Sequence, residues 1–381
     1  MQKTVYVDNA ATTRIDERVI QEMLPWLSDK YGNASQLYSF AREPRQAITK
    51  AREVIASCIG ASPDEIYFTS GGTESDNWAI KGSAFADPEH RLIITTSFEH
   101  HAILRACESI ERLGYPVEYL CPTHDGYIRV EDLEKIITAN TRLVSVMMAN
   151  NEIGTVQPIK ELCNLAHSHG ALFHTDAVQA VGHIDVDVKE LGVDMLSASA
   201  HKFNGPKGVG FLYVRKGTKI DSLLNGGGQE DGLRAGTENV AGIIGMATAL
   251  EGNCEKIQEN RAKLKSLEER LLSGLRNKGI PFSRNGGEQC LPGLISLSFE
   301  GKEGEAILHR MDLMGISIST GSACDSKNTE ISHVLKAINL NESRALGTVR
   351  LSFGKNNSDA DVDRIVDALV KIFGNKREIV L

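Results

Sequence analysis

Strand-like and helix-like stretches alternate along the chain up to about residue 245, and this order strongly limits the possible folds. The apolar run EIYFTS at 65–70 is followed by a stretch of helical character, ESDNWAIKGSAFA. The run RLIITTS at 91–97 is likewise followed by an amphipathic helix that ends in glycine. Such alternation predicts a mostly parallel sheet with helices on both faces. Ligands bind beyond the carboxyl ends of the strands in these sheets, so residues that follow strands are the first candidates for function.

The pattern changes near residue 250, which we interpret as a domain boundary. Residues 245–279 have the charge and apolar spacing of one long amphipathic helix. Short apolar strands follow, among them LPGLISLSFE at 291–300 and the run LGTVRLSFG. A chain of 381 residues is also too long for one compact core. We therefore expect a large α/β domain followed by a smaller α+β domain.

Charge and hydropathy argue against two classes of partner. The net charge of −8 disfavours a nucleic-acid-binding surface, because phosphate backbones attract basic patches. No apolar run reaches the length of about 18 residues that a transmembrane helix needs. The N-terminal sequence MQKTVYVDNA has no apolar segment typical of a secretory signal. We therefore expect neither nucleic acid nor membrane as a partner.

Seven cysteines are scattered along the chain without a C-x-x-C pair. This spacing indicates neither a zinc site nor a thioredoxin-like motif, and it fits thiols kept reduced in the cytoplasm. Cys58 and Cys163 lie in helix-like patterns and are interpreted as packing residues. Cys324 differs, because it lies in the polar stretch STGSACDSKNTE at 319–330. Taken alone, that stretch is compatible with a reactive nucleophile or with an inert surface thiol.

A lysine follows a predicted strand in the segment SASAHKFNGPKGVGFLYVR at 197–215. Lys202 could form a Schiff base with a carbonyl cofactor, and the small residues around it leave room for a planar ring. The alternative is a solvated loop lysine. Asp176, at the end of another strand, could pair with the ring nitrogen of pyridoxal phosphate or could cap a helix. Gln179 could reach a ring substituent, and together these residues favour the cofactor.

The segment FTSGGTESDNWAI at 68–80 is a candidate phosphate site. A glycine pair follows the strand, and Thr73 opens a helix whose first N–H groups could bind an anion. Gly72 and its neighbour Gly71 would let a phosphate come close. An ordinary helix cap is the alternative. The sequence has no G-x-x-x-x-G-K-[ST] motif, which argues against a nucleotide P-loop.

Three further segments carry candidate polar groups. His100 and His101 lie at a strand-to-helix turn, where one could stack on a cofactor ring and transfer protons, although a structural histidine is the alternative. The asparagine pair in ANNEIGTVQP at 149–158 could bond a phenolic oxygen. Arg350, in a small-domain strand, could bind a substrate carboxylate or lie with its head in water.

Many motifs occur together in one order: VDNAATT, GNASQLYSF, TSGGTESDN, EHHAIL, ANNEIGTVQPI, HTDAVQAVG, SASAHKFNGPKGVG, GGGQEDGLRAGTENV and STGSAC. With these motifs the chain resembles, almost from end to end, the NifS/IscS-type cysteine desulfurases. This group belongs to the class-V aminotransferases within the fold-type-I pyridoxal-phosphate enzymes. The resemblance implies a large domain at 14–250 with a mostly parallel seven-stranded sheet. It also implies a small α+β domain, formed by 1–13 and 251–381, that carries the Cys324 loop.

The resemblance also implies a role for each matching residue. Lys202 would bind pyridoxal phosphate covalently, Asp176 would pair with the ring nitrogen, and His100 would stack on the ring and transfer protons. Gln179 and Asn151 would contact the oxygen side of the ring, and Asn33 and Arg350 would bind the substrate carboxylate. The phosphate would be bound by Gly72, Thr73, Ser199 and His201, together with Thr237 from the second subunit of a homodimer. Cys324 would be the nucleophile.

The implied activity is cysteine desulfuration. L-cysteine would become L-alanine, and its sulfur would remain on Cys324 as a persulfide for iron–sulfur cluster assembly or other thio-cofactor synthesis. A sulfur-acceptor or iron–sulfur scaffold protein would be the partner, and the location would be cytoplasmic. The alternatives are a selenocysteine lyase or another pyridoxal-phosphate enzyme of this fold, and a sulfur carrier without catalysis. The presence of Lys202, Asp176 and Cys324 counts against the last of these.

Overall fold

The fold is built on a seven-stranded sheet and a smaller four-stranded sheet, seen in a computed structural model that describes residues 4–320 and 331–374. The strands are β1 Val5–Tyr6, β2 Ile66–Thr69, β3 Leu92–Thr96, β4 Val117–Leu120, β5 Thr141–Ser145, β6 Leu172–Asp176, β7 Met195–Ser199, β8 Gly210–Val214, β9 Ser283–Asn285, β10 Leu294–Ser298, β11 Ile316–Ser317, β12 Ser319–Thr320 and β13 Thr348–Ser352. The helices are α1 Glu17–Ser28, α2 Arg42–Cys58, α3 Gly72–Phe85, α4 His101–Glu111, α5 Val130–Ile136, α6 Ile159–Ser168, α7 Val188–Leu191, α8 Val240–Cys254, α9 Ile257–Asn277, α10 Gly304–Leu313, α11 His333–Ala337, α12 Glu342–Leu346 and α13 Asp359–Gly374.

The large sheet has the strand order β2-β8-β7-β6-β5-β3-β4. Strands β7, β6, β5, β3 and β4 pair in parallel, whereas β8 is antiparallel to both of its neighbours. The predicted mostly parallel seven-stranded sheet is therefore confirmed. Because the parallel strands end at one edge, the residues that follow β6 and β7 lie next to each other there.

Both faces of the large sheet are buried, which explains the nearly continuous apolar character of its strands. Neighbouring residues of a strand point to opposite faces, so Ile93 packs in the cluster around Trp78 while Ile94 packs in the cluster around Phe173. Helices α3 and α4 cover the first face, where Trp78 is fully buried and donates from Nε1 to the carbonyl of Asp221. The helices therefore hold the sheet in place on both sides.

The small sheet is antiparallel, with the order β12-β13-β10-β9. Helices α9 and α13 contribute Leu271 and Ile365 to its hydrophobic cluster, which Val5 and Val7 from the N-terminus join. From Val7 the chain runs to the large sheet: Ser352 N–H donates to the carbonyl of Val7, and Thr13 N–H donates to the carbonyl of His201. The N-terminal segment thus passes between the two sheets at the end of β7.

The prediction of a single long helix at 245–279 is wrong, because α8 and α9 are separate helices. Lys256 has a non-helical backbone at φ −121° and ψ 14°. The buried amide of Asn253 holds the end of α8 by donating to the carbonyl of Phe203 at 2.6 Å and to that of Ala249 at 2.8 Å. Helix α8 packs in the cluster of the large sheet, whereas α9 packs in that of the small sheet. The helix breaks because its two halves belong to different cores.

None of the helices within residues 4–320 and 331–374 combines the length and the apolar character needed to span a bilayer.

Candidate functional site

The start of α3 forms an open cradle of backbone N–H groups at the carboxyl edge of the large sheet. Gly71, the residue before the helix, has φ 147° and offers no side chain to cap the first turn. Ser199 ends β7, and its Oγ lies 3.5 Å from the position that a Cβ on Gly71 would occupy. A Cβ on Gly72 would come within 2.7 Å of Val178 Cγ2. Glycine is therefore favoured at 71 by the backbone angle and at 72 by the close approach of Val178, and the uncapped first turn can accept an anion.

Lys202 lies just after β7 and reaches the N-terminal segment. Its Nζ donates to the carbonyl of Ala10 at 2.6 Å and to that of Ala11 at 2.9 Å. Gln179 Nε2 donates to the same carbonyl of Ala10 at 3.0 Å, so the ends of these two side chains converge. The sequence interpretation gave Ala10 and Ala11 no role, although it quoted their motif VDNAATT. Only the pairing of distant segments reveals that their backbone oxygens hold the lysine.

Asp176 is the last residue of β6 and is 5% exposed. Its Oδ1 accepts a hydrogen bond from Val178 N–H at 2.9 Å. Burial raises the pKa of Asp176 to about 6, and the Val178 N–H and the positive charge of Lys202 oppose that rise. The carboxylate thus lies close enough to Lys202 to be influenced by its charge, as expected for residues that follow adjacent strands.

A buried polar network lies beside Asp176. His174 Nε2 is 2.9 Å from Ser197 Oγ and 3.9 Å from Asp76 Oδ1, and His174 Nδ1 is 2.9 Å from Ser145 Oγ. Burial lowers the pKa of His174 to about 3, so its ring is neutral at pH 7. Burial and the negative charge of Asp176 raise the pKa of Asp76, which favours its protonated form. Sequence reasoning missed this network, since its members look like ordinary strand and helix residues.

His100 caps the N-terminus of α4 and accepts a hydrogen bond at Nδ1 from Ala102 N–H at 3.1 Å. Burial, with the charges of Lys202 and His101, lowers its pKa to about 4. The ring is therefore neutral at pH 7, and its proton resides on Nε2 because Nδ1 is occupied as an acceptor. Proton transfer by His100 would pass through Nε2.

The turn before His100 is fixed by a buried acid that the sequence interpretation did not single out. Glu99 Oε1 accepts from Thr96 Oγ1 at 2.8 Å and from Met147 N–H at 2.9 Å. Burial raises the pKa of Glu99 to about 8. The acid joins the ends of β3 and β5, and so holds His100 at the edge of the sheet.

The other predicted cofactor residues lie at several places around this edge. His201 lies beside Lys202, with Nδ1 3.1 Å from Thr12 Oγ1, and burial with the charges of Lys202 and Lys207 lowers its pKa to about 4. Thr73 is exposed on the first turn of α3, and Thr237 is exposed before α8. Asn151 offers its backbone carbonyl, rather than a side-chain contact, to Arg350 at 2.8 Å.

Arg350 is buried on β13, and two of its three guanidinium nitrogens donate hydrogen bonds to other residues. Its Nη2 donates to Asp8 Oδ1 at 2.7 Å, and its Nη1 donates to the Asn151 carbonyl. Its Nε is buried and has no hydrogen-bond partner among the residues that the structure describes. Asn33, the other predicted carboxylate ligand, lies in a turn in which its Oδ1 accepts from Ser35 N–H at 3.0 Å.

Cys324 lies outside the described residues, but the chain is anchored soon after the gap. Ser332 Oγ donates to the buried Glu152 carboxylate at 2.6 Å, and burial raises the pKa of Glu152 to about 7. His333 Nε2 is 2.9 Å from the Glu99 carbonyl, and its ring centroid is 4.6 Å from that of His101. Ser332 and His333 therefore lie near the turn that carries His100.

Comparisons with known proteins match the whole length of the chain. The family model described as aminotransferase class-V matches residues 5–365. A cysteine desulfurase IscS from Clostridium botulinum is 47% identical over 383 residues, covering 100% of this chain and 96% of that protein. A cysteine desulfurase IscS from Dictyoglomus turgidum is 48% identical over 381 residues, covering 100% of this chain and 97% of that protein.

Two solved structures are similar over most of both chains. One is described as a NifS-like protein and has a TM-score of 0.92 at 39% identity, covering 97% of this chain and 99% of its own. Another is described as SspA in complex with cysteine and has a TM-score of 0.82 at 38% identity, covering 92% of this chain and 99% of its own.

Proposed function

The chain belongs to the class-V aminotransferase family, and from its full-length similarity to cysteine desulfurases we infer that it is a cysteine desulfurase. It converts L-cysteine to L-alanine and transfers the sulfur to an enzyme cysteine as a persulfide. The observation that carries this conclusion is the convergence of Lys202, Asp176 and the α3 cradle at one edge of the sheet. The chain is also similar to cysteine desulfurases over its full length.

The residues at this edge fit pyridoxal phosphate, the cofactor of this family. The uncapped first turn of α3 and the Ser199 hydroxyl suit its phosphate, with His201, Thr73 and the partner's copy of Thr237 as further ligands. The Asp176 carboxylate suits the protonated ring nitrogen, and Gln179 and Asn151 suit the oxygen side of the ring. His100 would lie against the ring face. When bound, the cofactor supplies an electron sink for bonds broken at the substrate α-carbon.

The chain's own residues would supply the remaining chemistry. Lys202 Nζ would hold the cofactor and then accept the α-proton of L-cysteine. The Cys324 thiolate would attack the substrate sulfur, so that a sulfur–sulfur bond forms while the carbon–sulfur bond breaks. After protonation the carbon skeleton leaves as L-alanine, and the persulfide stays on Cys324 for an acceptor protein.

Replacing Cys324 with alanine tests the nucleophile. We expect sulfide and alanine release from L-cysteine to fall to background, while the visible absorption of the bound cofactor is retained. The matched control is Cys121→Ala, which removes an exposed thiol and should leave both readouts unchanged. Sulfide release at the normal rate from Cys324→Ala would contradict the assigned role. Loss of activity on L-cysteine with activity on L-selenocysteine retained would favour a selenocysteine lyase.

Arg350 and Asn33 are proposed to bind the substrate carboxylate. The support is the buried Arg350 Nε, which is the guanidinium donor left without a partner among the described residues. Arg350→Lys keeps the charge but loses the fork of donors, so we expect KM for L-cysteine to rise about 10-fold or more, which corresponds to one lost charged hydrogen bond. The control is Arg270→Lys, at an exposed pair with Asp363. An unchanged KM in steady-state kinetics would refute this role.

We further propose a cytoplasmic homodimer that passes its sulfur to an acceptor or iron–sulfur scaffold protein. The exposure of Thr237, far along the chain from α3, is compatible with use by a second subunit. Free cysteines at six described positions fit a reducing compartment. Sedimentation velocity should give twice the mass of one chain, and a monomer would refute the shared site.

The proposed domain division places 14–250 in the large domain and 1–13 with 251–381 in the small domain. Its support is the separation of two hydrophobic clusters, one around the large sheet and one containing Val5 and Leu271. Within the small-domain range, helix α11 packs against the large domain, since Val334 and Leu335 lie in the cluster of the large sheet.

A further inference from the structure

We infer that Cys58 and Cys254 form a reversible disulfide when the protein meets a hydroperoxide. Cys58 is the last residue of α2, and Cys254 is the last residue of α8. The two helices lie against each other although the two cysteines are 196 positions apart in the chain, so tertiary packing alone brings them together.

The two cysteines are in direct contact. Cys254 Sγ lies 4.0 Å from the Cys58 carbonyl oxygen, and each thiol is near enough to the other to shift its pKa. Both side chains are partly exposed, so a small oxidant can reach them. Other described cysteines have different neighbours: Cys163 Sγ lies 3.7 Å from the His167 ring, and Cys290 Sγ lies 3.1 Å from the Gly287 carbonyl.

The contact also distinguishes the two sulfurs chemically. Interaction between the two thiols lowers the pKa of Cys254 and raises that of Cys58. Burial and the nearby carboxylate of Asp185 oppose ionisation of Cys254. Cys254 is therefore the sulfur of the pair that ionises more readily, and the thiolate is the form that reacts with peroxides.

The reaction balances in two steps. The Cys254 thiolate attacks one peroxide oxygen, the O–O bond breaks, and a sulfenic acid forms at Cys254 with release of hydroxide. The Cys58 sulfur then attacks the sulfenic sulfur, and the disulfide forms with loss of water. The net change is the oxidation of two thiols by one hydrogen peroxide to a disulfide and two waters, and a thiol reductant reverses it.

The bond would join the end of α2 to the end of α8, just before the break between α8 and α9 at the non-helical Lys256. That break is the connection between the cluster of the large sheet and the cluster of the small sheet. The disulfide would thus tie α2 to the end of α8 beside the junction of the two cores. It would also restrict the unfolded chain, which predicts a higher Tm for the oxidised protein.

The test is oxidation of the full-length protein with hydrogen peroxide, followed by thiol alkylation and peptide mass spectrometry. We expect a linked peptide pair containing Cys58 and Cys254, its loss after dithiothreitol, and a rise in Tm that dithiothreitol also reverses. Peptide identification separates this pair from oxidation at Cys324.

Three variants control the test. The linked pair should disappear in Cys58→Ser and in Cys254→Ser, whereas Cys121→Ser, at an exposed thiol, should retain it. Absence of the linked pair in the unaltered protein at peroxide concentrations that oxidise Cys121 would overturn the inference. A rise in Tm that persists in a correctly folded Cys254→Ser protein would also overturn it.

Discussion

Replacing Lys202 with alanine is expected to abolish cysteine desulfuration and to remove the visible absorption of the lysine-bound cofactor. Both effects have one physical cause, because Lys202 Nζ is the amine at the end of β7 that would hold the cofactor and accept the α-proton. Loss of general base catalysis alone costs between about 10²- and 10⁴-fold in rate. Absorption spectra and alanine release from L-cysteine measure the two effects separately.

The matched control for Lys202 is Lys216→Ala. Lys216 is exposed and pairs with Asp64 at 2.9 Å, an ion pair of the kind that contributes little to stability. This variant should keep both the absorption and the rate. Retained absorption and turnover in Lys202→Ala would refute the role of Lys202, whereas loss of both in Lys216→Ala would indicate damage to the fold instead.

Asp176→Asn is expected to lower kcat by about 10²- to 10³-fold while the cofactor still binds, the range found when one preorganised electrostatic group is removed from a site. An amide cannot stabilise a protonated ring nitrogen as a carboxylate does, so the ring would withdraw electrons less strongly. Steady-state kinetics with spectroscopic titration of the cofactor measure both quantities. The control is Asp185→Asn, at an exposed carboxylate that bonds Gln258. A normal kcat in Asp176→Asn would contradict the pairing with the ring.

The apoprotein gives a second, independent readout for Asp176. Burial raises the pKa of this acid to about 6, so the folded apoprotein binds a proton more tightly than the unfolded chain does. The free energy of unfolding should therefore fall as the pH rises from about 4 to about 6. In Asp176→Asn apoprotein this part of the decline should be absent, and denaturant titrations at several pH values measure it. An identical decline in both proteins would show that Asp176 is not the titrating group.

Local sequence patterns were sufficient to predict the architecture of this protein. Alternating apolar and amphipathic stretches predicted the mostly parallel sheet, because strand and helix periodicities depend on neighbours within a few residues, whereas its seven strands were implied by the resemblance to a known family. The same logic placed Asp176 and Lys202 at strand ends. It failed at 245–279, where a continuous helical pattern is divided by the buried amide of Asn253. Helical periodicity contains no information about which of two cores each half of a helix will join.

Contacts between distant segments were decided by the tertiary structure alone. The carbonyls of Ala10 and Ala11 meet Lys202, Asp8 meets Arg350, and Cys58 meets Cys254. Each contact joins residues far apart in the chain, and backbone carbonyls or single thiols have no sequence signature. The sequence by itself determined most of the helices and strands, the positions of Asp176 and Lys202 at strand ends, and the residue types available for chemistry. The packing of those elements decided which atoms meet, because contacts between distant residues depend on which apolar surfaces are buried against each other.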